Sequence, residues 1–342
     1  MKKILHILLI SCFSFTIISC AEINSAMDDV SDKYDEFSKE SDETEKTDAN
    51  VEQTTDSTIS EKTPPSRSLF VSVGGNGTVL TSSNGPKWTK RTSRSKGKQR
   101  AVAYGNDTLV VVGFSGTILT SSDGTKWTKI KSGTSKNLGS VTYGNGSFVA
   151  VGNSGTILTS SDGIKWIKRK SRTKKSLYGV AYGNNTFVAV GKGGTIFSSA
   201  DGTKWTKRKS RTSVEFIEII YAKNTFLAFG FKGVIRTSIN GTKWTKRKSR
   251  TPIGLLGAAY GNSTFMAVGY SGTVLSSSDG KSWTKRNSGT KKDLRGITYG
   301  NGKFVIVGNV GAILTSPDSS TWTKRDSGTS QHLRRVFFEL ME

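Results

Sequence analysis

The seven tryptophans of this chain, Trp88, Trp127, Trp166, Trp205, Trp244, Trp283 and Trp322, stand 39 residues apart with no insertion between them. So strict a period leaves few architectures open, because each unit has to meet the next in the same way, as in a solenoid or a propeller. The period also carries Tyr104, Tyr143, Tyr182, Tyr221, Tyr260 and Tyr299, and paired glycines such as Gly113 and Gly116, Gly152 and Gly155, Gly269 and Gly272.

One unit, read from Leu138, is LGSVTYGNGSFVAVGNSGTILTSSDGIKWIKRKSRT. Its runs SVTY, SFVAVG, TILTS and KWIKR are β-branched or aromatic. Turn signals separate them at Gly144-Asn145-Gly146, Gly152-Asn153-Ser154-Gly155 and Ser161-Asp162-Gly163. Four antiparallel strands in 39 residues make one propeller blade, whereas a helical repeat needs a glycine-free stretch that the unit lacks. The fold class is all-β: a seven-bladed β-propeller of four-stranded antiparallel blades over residues 67–342. The chain ends predict how it closes. The first unit starts at its second strand, Leu69 to Gly74, with Pro65 at the position 39 before Tyr104. The far end continues as Leu333-Arg334-Arg335-Val336-Phe337-Phe338, which matches Leu138 to Tyr143. Val336 to Phe338 are expected to supply the innermost strand of the blade that contains Trp88, closing the ring and hiding edge strands.

The formal net charge of +24 conceals two opposite parts. Residues 21–66 hold 14 Asp and Glu against 4 Lys, a net of −10, while residues 67–342 hold 44 Lys and Arg against 12 Asp and Glu, a net of +32. The acidic stretch lacks apolar periodicity and reads as a disordered tether, spanning roughly 35 to 40 Å as a flexible coil. The basic body calls for an anionic partner, and the tether could fold over it and mask it at low salt. Both cysteines, Cys12 and Cys20, precede the body, and its one histidine is His332. Disulfides, thiolate or His-based metal sites and a Ser/His/Asp triad are thereby excluded from the body, so no cofactor and no metal are expected.

Lys2 and Lys3 ahead of the apolar run Ile4 to Ile18 read as a secretory signal over residues 1–20, too short and wrongly flanked for a stable membrane span. Its end, Ile17-Ile18-Ser19-Cys20, resembles a bacterial lipobox, which implies cleavage before Cys20 and lipid attachment to its sulfur; an ordinary signal peptide is the alternative. With Ala21 next, the resemblance implies the outer membrane of a bacterial cell envelope.

The segments SSDGTKW (Ser121 to Trp127), SSDGIKW (Ser160 to Trp166) and SSDGKSW (Ser277 to Trp283) resemble the Asp-box of bacterial BNR-repeat propellers, one residue short of the sialidase form. Whole units are similar to the propellers of the photosystem II assembly factor family and of YVTN/BNR-like repeat proteins. The resemblance covers residues 67–342 and implies fold more than function. It implies that Asp123, Asp162, Asp201, Asp279 and Asp318, with Asn84 and Asn240 in the other two blades, are structural acceptors for backbone amides, and that the aromatic residue packs between blades. Blade seven departs from the pattern with Pro317 and Ser319, so its turn is expected to be looser.

In an up-and-down blade the first and third turns share one face of the disc, while the second turn and the inter-blade link share the other. The links place Arg94, Lys96, Lys98, Lys136, Arg172, Lys174, Lys175, Arg211, Arg250, Lys291 and Lys292 on one strongly basic face. Lys90 and its six equivalents, two residues after each tryptophan, read as solvated rim residues that discourage edge-to-edge aggregation. On the innermost strands Ala101, Ser140, Gly179, Gly257 and Gly296 mark a small-residue position that Glu218 and Arg335 break, and Arg100, Tyr178, Arg295 and Arg334 precede it. These residues are candidates for a ligand contact at the channel mouth, against a reading in which they are solvated or pair with each other. The composite expectation is a monomeric, non-catalytic envelope scaffold. Its basic face engages an anionic protein surface, lipid head group or polyanionic glycan, and a lipid anchor holds it to the membrane. A sialidase-type Asp-box glycoside hydrolase is the competing class, but it needs an arginine cluster, a Tyr/Glu pair and an acid on irregular loops that these uniform turns do not provide. Nucleic acid fits the charge but not the export signal, and no exposed aromatic platform is apparent.

Overall fold

A computed structural model describes residues 67–341; the signal, lipobox and tether readings fall outside them. The described residues form seven four-stranded antiparallel sheets, six of them built from consecutive strands. The seventh joins Leu333–Met341 to Arg67–Gly74, Val79–Ser82 and Thr89–Arg91, so the C-terminal strand completes the blade that contains Trp88. Numbering blades by tryptophan makes this blade 1. The innermost strand of every blade packs against those of both neighbours, and the contacts of Leu333–Met341 with Leu294–Gly300 and Gln99–Gly105 complete the circle.

The second strand of each blade is buried on both faces, which explains its continuous apolar run. Alternate residues feed alternate inter-blade cores: Val71 and Val73 face blade 2, while Phe70 and Leu80 face blade 7 with Val305, Val307, Ile313, Leu333 and Val336. Each tryptophan packs in the seam between its own blade and the preceding one, as Trp127 does between blades 1 and 2. Its spacing therefore follows the blade period.

The first turn places two successive residues at positive φ, Asn145 at 46° and Gly146 at 69°, the arrangement that matches the twist of a two-residue hairpin. The glycine just before it serves a different need. A methyl on Gly144 would overlap the Tyr182 ring of the next blade, and one on Gly300 would overlap the Phe338 ring. Phe338 thus takes in blade 1 the place that tyrosine holds elsewhere, which is direct packing support for closure.

Candidate anion-binding face

Each link turns on a serine five residues after the tryptophan. In blade 3 the Ser171 hydroxyl donates to the Thr173 carbonyl (3.3 Å) and accepts from the Thr173 amide (3.4 Å), and the Lys175 amide donates to the Thr173 hydroxyl (3.1 Å). The same bonds recur in blades 4 and 5 through Ser210 and Ser249. The residue after that serine sits at the exposed apex with a left-handed backbone: Arg94 (52°), Gly133 (72°), Arg172 (56°), Arg211 (55°), Arg250 (58°), Gly289 (69°) and Gly328 (63°). Glycine adopts such angles freely and arginine does not. Four blades nonetheless hold arginine there, three of them in succession, and Lys174 lies exposed beside Arg172.

The innermost strands explain the next set of candidates. In every blade the ladder to the second strand skips one residue, between Gln99 and Ala101, Leu294 and Gly296, and the equivalents of these. Arg100, Tyr178, Arg295 and Arg334 are these bulged residues, turned out of the regular pleat at the link end. Their surroundings differ from one another. The Arg100 guanidinium lies 5.4 Å from the Phe114 ring centroid, Arg295 bonds Asn309 and lies 3.9 Å from Asp293, and Arg334 is buried.

Glu218 and Arg335, expected at the channel mouth of the basic face, pair with each other from blades 5 and 1. Glu218 is 3 % exposed; burial pushes its carboxyl up and Arg335 offsets that only in part. The small residues at the equivalent positions leave room for this crossing. A methyl on Gly257 would press on the Arg295 carbonyl, and one on Gly296 on the Arg335 backbone. Both charged residues line a cavity of about 530 Å³ that runs along the inner strands from Ala101 and Ser140 to Tyr104, Tyr143, Tyr221, Tyr260 and Tyr299.

The third turns behave as structural turns. Asp162 accepts from the amides of Ile164 and Lys165 (both 2.8 Å) and from the Ser160 hydroxyl (2.9 Å), and the Lys165 and Ile164 amides hold its carboxyl below the ordinary range. Asp279 and Asp318 are lowered by the same amide pairs, and Asp201 first by the Thr203 hydroxyl. For Asp123, burial opposes the shift and the Thr125 and Lys126 bonds outweigh it. Asn84 and Asn240 accept the Lys87 (3.3 Å) and Thr242 (3.1 Å) amides without a charge. Blade 7 keeps these bonds in full, to Ser320 (2.9 Å) and Thr321 (2.8 Å), although Ser319 takes φ 63°. Blade 7, like blade 6, lacks the indole bond that Trp166 makes to the Gly163 carbonyl (2.8 Å); the Nε1 atoms of Trp283 and Trp322 are buried without a protein partner. The turn is thus not looser at its carboxylate. Among the described residues no group of three His, Cys, Asp or Glu could hold a metal ion.

Blade 5 carries features that composition does not reveal. At residue 236 it has arginine where the other blades have Leu80, Leu119, Leu158, Phe197, Leu275 and Leu314. The Arg236 side chain is 5 % exposed. It donates from Nε to the Ser210 carbonyl (3.1 Å), from Nη1 to Ile235 (3.3 Å) and from Nη2 to Arg211 (3.3 Å). At the link between blades 5 and 6 the Phe231 and Tyr270 rings stack at 6.3 Å and 7° next to Gly254, both half-buried. Aligning the units by their period would have exposed residue 236 as the one charged residue in an apolar column.

These features define the chain as a seven-bladed β-propeller with a basic link face. A family described as the DUF6242 beta propeller domain matches residues 91–216. Among solved structures, YCF48 bound to a D1 peptide matches with TM-score 0.58 and 19 % identity, over 81 % of this chain and 89 % of that one. YCF48 from Cyanidioschyzon merolae matches with TM-score 0.58 and 22 % identity, over 74 % and 96 %. The WD40 propeller of Doa1 follows with TM-score 0.58 and 14 % identity, over 81 % and 91 %. At these identities the likeness is one of fold. No curated protein matches the sequence.

Proposed function

We propose that this chain is a non-catalytic binding module of the bacterial envelope, anchored by lipid at Cys20, whose link face engages an acidic protein segment. The observation that carries the reading is the set of arginines at the link apices. Arg94, Arg172, Arg211 and Arg250 occupy left-handed positions that three other blades fill with glycine, so a residue with a backbone penalty stands where a cheaper one fits. A return through binding explains that choice. Arg172, Arg211 and Arg250 lie exposed in consecutive links, each within the sequence Arg-Lys-Ser-Arg-Thr, a spacing suited to an extended acidic segment laid across those links. The matched YCF48 structure holds a peptide, which supports a protein partner over a glycan. The uniform turns and the dispersed third-turn carboxylates supply no acid and nucleophile pair for glycoside hydrolysis.

The test uses the full chain and a labelled polyglutamate peptide, followed by anisotropy across a salt series. Replacing Arg94, Arg172, Arg211 and Arg250 together by glycine preserves turns that already accept glycine, and is expected to weaken binding and flatten its salt dependence. Equal affinity and equal salt slope in the variant would overturn the reading. Stronger retention on anionic vesicles or heparin than on the peptide would reassign the partner.

A further inference from the structure

The floor of blade 5's outer groove presents an unsolved charge problem. The groove, of about 400 Å³, lies between two successive links, with Thr212 and Val214 on one side and Lys248 to Thr251 on the other. Lys232, Arg236, Lys246, Arg247, Lys248 and Arg250 line it, and no acidic residue does. Arg236 makes no ion pair among the described residues; its three bonds all go to backbone carbonyls. A buried guanidinium that meets only carbonyl dipoles is costly to hold, and burial accordingly lowers the Arg236 pKa. A second observation is independent of burial. Arg236 is the direct cross-strand partner of Lys246, on the same face of the sheet, whereas in other blades the equivalent lysine faces leucine or phenylalanine, as Lys168 faces Leu158. Like charges placed directly opposite one another destabilise a sheet.

An anion in the groove resolves both difficulties. Guanidinium offers five N–H donors, of which Arg236 uses three, so one remains on each terminal nitrogen. Lys246 stands directly opposite Arg236 across the ladder, so its ammonium shares the face that carries these remaining donors. One fixed fork with an ammonium beside it on the same face suits a compact, multiply charged acceptor better than a single flat carboxylate.

We infer that the blade 5 groove is a binding site for a tetrahedral oxyanion, phosphate or sulfate, held by Arg236 and Lys246, with Lys232, Arg247, Lys248 and Arg250 along its walls. This deepens the reading of the link face as the binding surface and rests on it. The anion is either a free ion or a phosphomonoester carried by a larger partner.

The decisive variant is Arg236→Leu, which restores the residue that five other blades hold at this place. Binding of inorganic phosphate to the full chain is measured by calorimetry against chloride at equal ionic strength, with sulfate and O-phosphoserine as further arms. Wild type is expected to bind phosphate saturably with one site and a raised melting temperature. Arg236→Leu is expected to weaken binding roughly 10- to 100-fold while unfolding at higher temperature than wild type without the ion. Tighter binding of O-phosphoserine assigns the site to a group on a partner, and tighter binding of phosphate assigns it to the free ion. No saturable binding above chloride, or unchanged affinity in Arg236→Leu, overturns the inference. If phosphate fails while polyglutamate binding still depends on the apex arginines, the groove falls and the face stands; the reverse pattern spares the groove alone.

Discussion

Ring closure predicts a specific cost at Leu333. This side chain is fully buried among Phe70, Leu80, Val305, Val307, Ile313 and Val336, in the seam between blades 7 and 1. Its ladder partner is Gly74, as Leu177 in blade 4 pairs with Gly191, and Leu177 is buried to the same degree. Truncating a buried leucine to alanine removes its transfer energy and leaves a cavity, at a cost of about 2–5 kcal/mol. Leu333→Ala and Leu177→Ala are therefore expected to destabilise equally, within about 1 kcal/mol of each other, because the repeat places them in equivalent seams. Urea unfolding followed by tryptophan fluorescence measures both, with Trp88 reporting on the closure seam and Trp205 on the blade 4 seam. A cost below about 0.5 kcal/mol for Leu333→Ala beside a full cost for Leu177→Ala is what a surface position would show, and would refute the packing of the last strand against blade 1.

The structure makes further predictions. Arg236→Leu removes a buried charge and a like-charge cross-strand pair, and is expected to raise stability by about 1–3 kcal/mol in chemical denaturation; destabilisation would show instead that its three carbonyl bonds hold the link together. Gly133→Arg copies an apex found in four other blades, and should leave the melting temperature within a few degrees of wild type while increasing polyglutamate affinity. Asp162, Asp201, Asp279 and Asp318 have folded pKa values below the unfolded value of about 3.9, so each contributes stability above about pH 4 that is lost as pH falls through the folded values. Asp162→Asn, which copies the uncharged acceptors of blades 1 and 5, should reduce that acid sensitivity, seen as a smaller drop in melting temperature between pH 5 and pH 3.

The fold was legible because one number, the 39-residue spacing, applies to every structural element at once, and because the missing first strand and the surplus last one complement each other. The division into two faces followed from strand alternation alone. Two features of the site lay beyond that logic. The pairing of Glu218 with Arg335 stood in the sequence only as the alternative to a ligand contact, because it joins blades three apart around the ring and no local pattern decides it. The bulge at Arg100, Arg295 and Arg334 has no mark in composition, since glycine, tyrosine and arginine all occupy it; its presence in every blade arises from strand geometry near the axis. Arg236 was readable in principle. A column of six apolar residues and one arginine is visible in the aligned units, but the basic body offered so many cations that a single buried one did not stand out.

The most direct measurement of the central claim is a hydrogen-exchange footprint of the full chain with and without the polyglutamate peptide. Binding by the link face predicts slowed exchange in the segments 209–215, 231–237 and 247–254, with the Tyr-Gly-Asn turns unchanged. Protection concentrated at residues 104–108, 221–225 and 260–264 would place the partner over the tyrosine-lined cavity and contradict the account.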